Sequence, residues 1–546
     1  MAFLSMVVFT CFATRAETET ASTQAIRSKK RQDSDTLFSS TNVLRLQIEI
    51  PKQGMALLRT HQQGMGEDSE RPVAQAIVKQ GGRVYTNVAI HLKAWSSFRP
   101  VDKNPSLTLK FDQIVKGQTF HGLDKLSLNN ASQDPSFLSE KVARELFDAV
   151  GVPVPRATFV NVELNGRNLG PYVLTEGFNK RFLKRYFNNT EGNLYEGGFL
   201  SDIDRELAVN SGARPEDQSD RLALVAAAQL PDRSRRFAEL EHILDMDCFI
   251  SFLAMETVMC HTDSYSMNKN NYRLFHDLDS DRMIFMPQGM DQIFGAHWRA
   301  NAKLSFWPPL EGLVTIAVLQ TPEGRARYYN RVSELATNFF NVATLTNRVN
   351  ELAARIRPLI AERNPSAAKD HEKAVAALID RIVQRGKSLE EQLARPRLAL
   401  QFNASGSVQV CGWCTHTTYG EPELAHALDR RGHRLLYLRA GQGGSVGSWR
   451  TKIVLDDGWY RLEGRVKTQK VEPDPGDQRA GVGLRVSGGR FGQVLLGNSD
   501  WTNATCEFEV KERFADIELI CEMRAAAGAA WFDADSLRLI RRRDNQ

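Results

Sequence analysis

Four polar side chains crowd into nine residues of this chain: Asp263, Asn268, Asn270 and Asn271. His261 stands just ahead of them, and Asp291 follows in the run Pro287-Gln-Gly-Met-Asp-Gln-Ile-Phe-Gly295. Such a set suits phosphoryl transfer. One carboxylate orients the attacking hydroxyl or accepts its proton, while an Asn and a second Asp supply hard oxygen ligands for Mg²⁺ on the phosphates. The same residue types also cap helices and shape turns, so spacing alone leaves that structural reading open.

Other chemistries find less support. His261, Asp263 and Asp291 could ligate a hydrolytic metal, but His261 has no partner at the usual ligand spacing. Ser96 and Ser97 are not embedded in G-x-S-x-G. Neither GxGxxG nor GxxxxGK[ST] occurs. Asp277, Asp279 and Asp281 lack the Gly and closing Glu of a calcium loop and read as a solvated hairpin turn.

The elements that must position the cluster are legible from periodicity. Residues 246–258 form an apolar helical run ending at the cluster, and strands at 272–275 and 283–286 make a hairpin between Asn271 and Asp291. Upstream, residues 44–50, 88–93 and 107–111 alternate as strands. A helix is predicted over 137–150, and Asn165-Gly166 turns a hairpin between 158–164 and 170–176. Lys103 and Lys110 lie near the strand 107–111, and Glu140 and Glu145 on the helix are candidates to orient a lysine. Helices are also predicted over 217–228, 234–242, 321–339, 342–360 and 370–393. From about residue 398, short alternating runs broken by Gly, Asp and Pro read as an all-β sandwich.

At 546 residues the chain exceeds one core, and 42% hydrophobic with 25% charged residues is the composition of an ordinary globular protein. A net charge of +5 is small over this length and gives no reason to expect nucleic acid. Residues 1–16 read as an export leader with a short apolar stretch and a small residue at its end. Residues 17–42 read as a flexible tether. On that leader an exported protein is expected, periplasmic, at the cell surface or extracellular, and no other stretch is apolar enough for a membrane span. Among the cysteines, a disulfide within Cys411, Cys414, Cys506 and Cys521 is expected if export holds.

An ordered series of motifs resembles the CotH-type (spore-coat protein H-like) kinase domain. These are Leu92-Lys-Ala-Trp-Ser-Ser-Phe98, Lys103-Asn-Pro-Ser-Leu-Thr-Leu-Lys-Phe111, Gly122-Leu-Asp-Lys-Leu-Ser-Leu-Asn129 and Asp134-Pro-Ser-Phe-Leu138. Leu164-Asn-Gly166, Gly170-Pro-Tyr-Val-Leu-Thr-Glu176, Gly192-Asn-Leu-Tyr-Glu196 and the stretch 263–295 continue it. The resemblance implies an α+β, atypical bilobal protein-kinase-like domain, with lobes over 43–193 and 194–396. It implies ATP and Mg²⁺ or Mn²⁺ as cofactors and protein Ser/Thr hydroxyls as acceptors.

On the same resemblance Lys103 matches the phosphate-binding lysine and Asp263 the catalytic-loop carboxylate. Asn271, or alternatively Asn268, matches the metal-binding amide, and Asp291 the metal-binding aspartate. Glu140 or Glu145 would pair with the lysine, and Glu176 ends the hairpin leading between the lobes. The chain departs from the family pattern at Ala94 and at Gly289, which stands where an acidic residue is common. That second departure keeps an alternative open: an inactive pseudokinase serving in surface assembly or in glycan or protein binding.

The ending Trp531-Phe-Asp-Ala-Asp-Ser-Leu537 resembles the last strands of carbohydrate-binding-like jelly rolls. It implies a jelly-roll sandwich over 398–546, with Trp413, Trp449, Trp459 and Trp501 as candidate contacts to a cell-surface glycan.

Overall fold

The computed structural model describes residues 34–62, 71–93, 97–297, 301–394, 400–429, 432–511 and 515–542. The leader, most of the tether, and Ala94 and Ser96 of the Ser-Ser motif lie outside the described residues. The chain divides into two compact units, Met1–Ala394 and Arg395–Gln546.

The first unit opens with a strand-rich lobe. Strands β1 (Leu44–Glu49), β2 (Ala74–Gln80), β3 (Arg83–Lys93), β4 (Ser106–Lys110), β5 (Lys125–Asn129), β6 (Ala157–Leu164) and β7 (Arg167–Glu176) close into a barrel. Its order is β1-β2-β3-β4-β5-β7-β6, sealed by a parallel β1–β6 pairing. Closure removes the edges an open sheet would expose, and the interior is apolar, with Ile90, Leu107, Leu109, Leu128, Val160 and Leu174 fully buried. The 158–164/170–176 hairpin forms as the Asn165-Gly166 turn predicts, with both residues at positive φ. Helix Ser139–Ala149 crosses between β5 and β6.

A helical lobe follows. Helices Met246–Val258, Pro322–Asn338, Val342–Arg363 and Pro365–Leu393 pack a second core around Phe249, Phe252, Leu253, Val332, Leu352 and Leu378. A small sheet, β11 (Arg282–Pro287), β10 (Tyr272–Asp277), β8 (Leu194–Glu196) and β9 (Ala208–Ser211), lies within this lobe. Helix Leu313–Leu319 was not predicted. At seven residues it offers too few turns for periodicity to register.

The tether reading fails for its described end. Residues Asp35–Ser39 form a helical turn with Leu37 and Phe38 buried. The Arg156 guanidinium lies 4.3 Å from the Phe38 ring centroid and pairs with Asp35. Two apolar residues and a cation–π contact outweigh the polar composition of the stretch.

The second unit is all-β. One sheet has the order β12 (Ser407–Gln409), β22 (Arg538–Arg541), β17 (Gly458–Glu472), β21 (Ala527–Asp533), β15 (Arg434–Arg439), β14 (Glu423–Leu428), with β19 (Gly497–Val510) also on β17. The other has the order β13 (Cys414–Tyr419), β16 (Ser445–Leu455), β20 (Ala515–Ala525), β18 (Gly481–Val486). Side chains Leu436, Leu438, Trp449, Leu462, Val466 and Phe532 fill its core. The disulfide expectation is not met: Cys411, Cys414, Cys506 and Cys521 are all free thiols. Cys506 and Cys521 are buried as small apolar side chains, whereas Cys411 and Cys414 are exposed.

Candidate functional site

Helix Met246–Val258 is nearly all apolar and buried, which fixes where its C-terminal end delivers the chain. Beyond it, Cys260 at φ +53° turns the backbone and a short helical turn, Tyr265–Asn268, follows. Asp263 sits in this loop as the acceptor of three amides. Asn268 Nδ2 and Asn270 Nδ2 donate to its Oδ1 at 2.6 and 3.1 Å, and Asn271 Nδ2 donates to its Oδ2 at 2.8 Å. Asn271 Nδ2 also reaches the Asp263 carbonyl at 2.7 Å. The amides turn their donors to the carboxylate, and the side-chain oxygens of Asn268 and Asn271 are acceptors.

The β10–β11 hairpin then carries the chain to Asp291. Its register, Tyr272↔Pro287 through Asp277↔Arg282, brings both of its ends to one side. The backbone N–H of Gln288 donates to the main-chain carbonyl of Asn271 at 2.9 Å, tying the second arm to the loop that carries the amides. Asp291 is pushed up to about 7. Burial is the largest cause, and the charges of Glu140, Asp134 and Asp263 add to it. His261 is buried beside the cluster and is driven down to about 4, chiefly by loss of solvation.

Glu140 approaches from helix Ser139–Ala149. Arg144 donates to its Oε1 at 2.6 Å and Asn129 Nδ2 to its Oε2 at 2.7 Å. Burial would raise this carboxyl, but Arg144 and Lys93 overcome it and hold it below its ordinary value. Lys93, the last residue of β3, donates through Nζ to Asn129 Oδ1 at 3.0 Å.

Several expected residues are brought together and others are not. Asp263, Asn268, Asn271, Asp291 and Glu140 form one connected electrostatic group. Lys103 is displaced from it: this side chain is exposed on a bend, beside an Arg59–Asp102 ion pair at 2.8 Å. The lysine that joins the group is Lys93, which bonds Asn129 and acts electrostatically on Glu140. Glu145 points elsewhere, pairing with Lys141 at 3.0 Å and Arg348 at 2.7 Å. It lines a cavity of about 460 Å³ together with Lys141, Asp148 and Arg156. Glu176 is buried between Arg156 and Arg185 at 3.0 and 2.8 Å and acts as a structural anchor for the end of β7.

Sequence reasoning missed Lys93 and Asn129. Both end alternating strands, and Lys93 is the lysine of the Ser-Ser motif already noted. Strand position at β3, rather than distance from strand 107–111, is the signal that could have found it.

Would a divalent cation fit? Among the described residues no three His, Cys, Asp or Glu side chains converge as a metal-binding group. The oxygen donors present are instead the Asp291 carboxylate and the side-chain oxygens of Asn268 and Asn271. Mg²⁺ binds in this manner, using one or two carboxylates and keeping waters and substrate phosphates as its other ligands. The raised Asp291, crowded by three other carboxylates, is a group that a cation would relieve. The residues fit.

In the sandwich, two of the four candidate tryptophans are core residues. Trp449 is 1% exposed and its Nε1 donates to the Tyr437 carbonyl at 3.2 Å. Trp413 is 9% exposed and donates to the Val410 carbonyl at 3.1 Å. Their faces are covered by the protein and are withdrawn as glycan contacts. Trp459 is 46% exposed and Trp501 half-buried. Tyr437 and Trp531, paired across β15 and β21, alternate with core residues and so face outward. Their ring centroids are 5.4 Å apart.

A carboxylate loop held by amides, a hairpin, a second carboxylate and a strand lysine joined through Asn129 to a helix glutamate define a bilobal kinase-like domain, followed by a β-sandwich. The profile of the family described as CotH kinase protein matches residues 96–389, more than half of the chain, and the chain belongs to that family. The inner spore coat protein H of Bacillus subtilis (strain 168) is 21% identical over 262 residues, covering 44% of this chain and 70% of that protein. Invasin CotH3 of Rhizopus delemar is 25% identical over 276 residues, covering 45% of this chain and 46% of the invasin. The chain thus spans most of the first relative's length and about half of the second's. Among solved structures, the Helicobacter pylori proinflammatory kinase CtkA aligns with 55% of this chain and 96% of its own at TM-score 0.23 and 12% identity. TmCBM61 in complex with β-1,4-galactotriose aligns with 24% and 88% at TM-score 0.18 and 13% identity. Among the described residues, no helix is long and apolar enough to cross a membrane.

Proposed function

We propose that the chain is a protein kinase that moves the γ-phosphoryl group of ATP to a Ser or Thr hydroxyl of a protein. The observation that carries this reading is the single group formed by Asp263, its three amides, Asp291, Glu140 and Lys93. The acceptor hydroxyl oxygen bonds to the γ-phosphorus while the bond from that phosphorus to the β–γ bridging oxygen breaks, releasing ADP. Asp263 orients the hydroxyl and takes its proton, and the amides of Asn268, Asn270 and Asn271 hold that carboxylate in one orientation. Lys93 meets the phosphate oxygens as a fixed positive charge. Asp291 with Asn268 or Asn271 would hold Mg²⁺ or Mn²⁺, which when bound neutralises charge on the phosphates.

Nucleotide binding tests this directly. The full chain with ATP and Mg²⁺ should melt at a higher temperature than without them, and K93M should lose most of that gain. The absence of any nucleotide effect on the unaltered protein counts against the reading. Binding without transfer would mark the chain as a nucleotide-binding assembly protein instead.

A specific observation favours a second role for the sandwich. The outward Tyr437–Trp531 pair is amphipathic surface of the kind that stacks on the apolar faces of sugar rings. It is flanked by Lys467, which sits opposite Trp531 in register and pairs with Asp500 at 3.4 Å. We infer glycan binding there, with Trp501 on the neighbouring strand β19, as the means by which an exported kinase would be held near a cell-surface substrate.

A further inference from the structure

Asn129 joins two charged groups of the site, and its amide cannot be turned round. Lys93 offers only donors and ionised Glu140 only acceptors, so Oδ1 must face the lysine and Nδ2 the carboxylate. The far oxygen of Glu140 is taken by Arg144, whose other nitrogen donates to the Pro155 carbonyl at 2.8 Å. Donation runs from Lys93 to Asn129 and from Asn129 to Glu140, while Arg144 donates to Glu140 from the other side and to the Pro155 carbonyl. Register explains its reach. Lys93 pairs with Ser106 on β4, and Leu107 pairs with Leu128 on β5, so Lys93 and Asn129 flank one strand in the same row of the barrel.

We propose that Asn129 is a positioning residue that sets the place and proton affinity of Lys93, transmitting the charge of Glu140 through its amide. This rests on the reading of Lys93 as the phosphate-binding lysine. A lysine steered only by a helix glutamate is released when that helix shifts. Here Asn129, which touches the lysine, belongs to the barrel itself, and the helix glutamate acts through that amide. No other side chain of this size offers one acceptor and one donor in that fixed order. An aspartate at position 129 would set two carboxylates against each other, and a leucine would satisfy neither neighbour.

The test uses the full chain and four variants: N129L, N129D, E140Q and N129D/E140Q. The first measurement is the pH profile of Lys93 acetylation by acetic anhydride, read by mass spectrometry and independent of nucleotide. Loss of the acceptor disfavours the charged ammonium, so N129L should label several-fold faster than the unaltered protein at pH 8. The second is the affinity for a non-hydrolysable ATP analogue with Mg²⁺. Loss of one charge-assisted hydrogen bond should weaken it roughly tenfold or more in N129L and in N129D. The double variant restores a donor facing an acceptor at every link and should recover affinity beyond either single variant that composes it.

Unchanged Lys93 labelling in a folded N129L overturns the proposal, as does a double variant no better than N129D. If N129L does not fold, N129S, too short to reach both neighbours, takes its place. An unaltered protein that binds no nucleotide overturns the kinase reading instead, and the labelling profile then decides Asn129 alone.

Discussion

Asn271 Oδ1 occupies the space that a side chain at Gly289 would enter. Gly289 is at φ +58°, and a Cβ built there would overlap that oxygen. Where the resemblance leads one to expect an acidic side chain, the space beside Gly289 is taken by the Asn271 amide oxygen.

Restoring an acid at this position should consequently fail. G289A adds a Cβ in the left-handed region, at a cost of roughly 1–2 kcal/mol, before its overlap with Asn271 is counted. G289D should melt lower than G289A and show no stronger stabilisation by Mg²⁺ than the unaltered protein. Thermal melts with and without the cation measure both effects.

Asp291 should make stability depend on pH. Its carboxyl is raised from the ordinary value of 3.8 to about 7 in the folded chain. The folded state therefore binds more protons, and stability falls as pH rises between those two values and stays low above them. D291N should remove that share of the decline, and it should melt higher than the unaltered protein at pH 8 without divalent cations. Added Mg²⁺ should raise the melting temperature of the unaltered protein more than that of D291N.

Glu256 offers an independent case away from solvent. Burial within helix Met246–Val258 pushes it up to about 8, against the Ser266 N–H that donates to its Oε2 at 3.2 Å. By the same sign, its contribution is intact below about 4.5 and is lost as pH climbs towards 8. E256Q keeps the shape without the charge, and urea titrations across pH 5–9 should show a flatter stability profile than the parent.

How far the sequence disclosed this arrangement depends on which interactions set each part. Helix Met246–Val258 and the β6–β7 hairpin were legible because an apolar run and an Asn-Gly turn act locally. The cluster at Asp263 was legible because its residues are neighbours in the chain. Lys93 was not. What selects it over Lys103 is the pairing of β3 with β4 and β4 with β5, contacts between distant segments. Glu140 and Glu145 share a helix, and only packing decides that the first faces Asn129 while the second faces Arg348. Barrel closure through β1–β6 likewise joins residues more than a hundred positions apart.

The tryptophans of the sandwich separate on the same principle, since alternation places outward and inward residues but not the strand boundaries that fix the phase. W449A should cost about 3–5 kcal/mol, as expected for a buried aromatic. Y437A and W531A should lower stability far less while abolishing retention on immobilised polysaccharides that hold the parent. Equal retention by Y437A/W531A and the parent would remove the glycan role.

The central claim is phosphoryl transfer at Asp263. The decisive measurement follows labelled γ-phosphate from ATP, with Mg²⁺ or Mn²⁺, onto protein Ser/Thr acceptors, comparing the full chain with D263A and D291A. The unaltered chain should transfer the label. Loss of the general base should cost D263A roughly 10²–10⁴-fold in rate, with ATP binding retained, and D291A should lose both transfer and its response to the cation. Transfer by D263A at the parental rate, or an unaltered chain that binds no ATP and transfers no label, would contradict it.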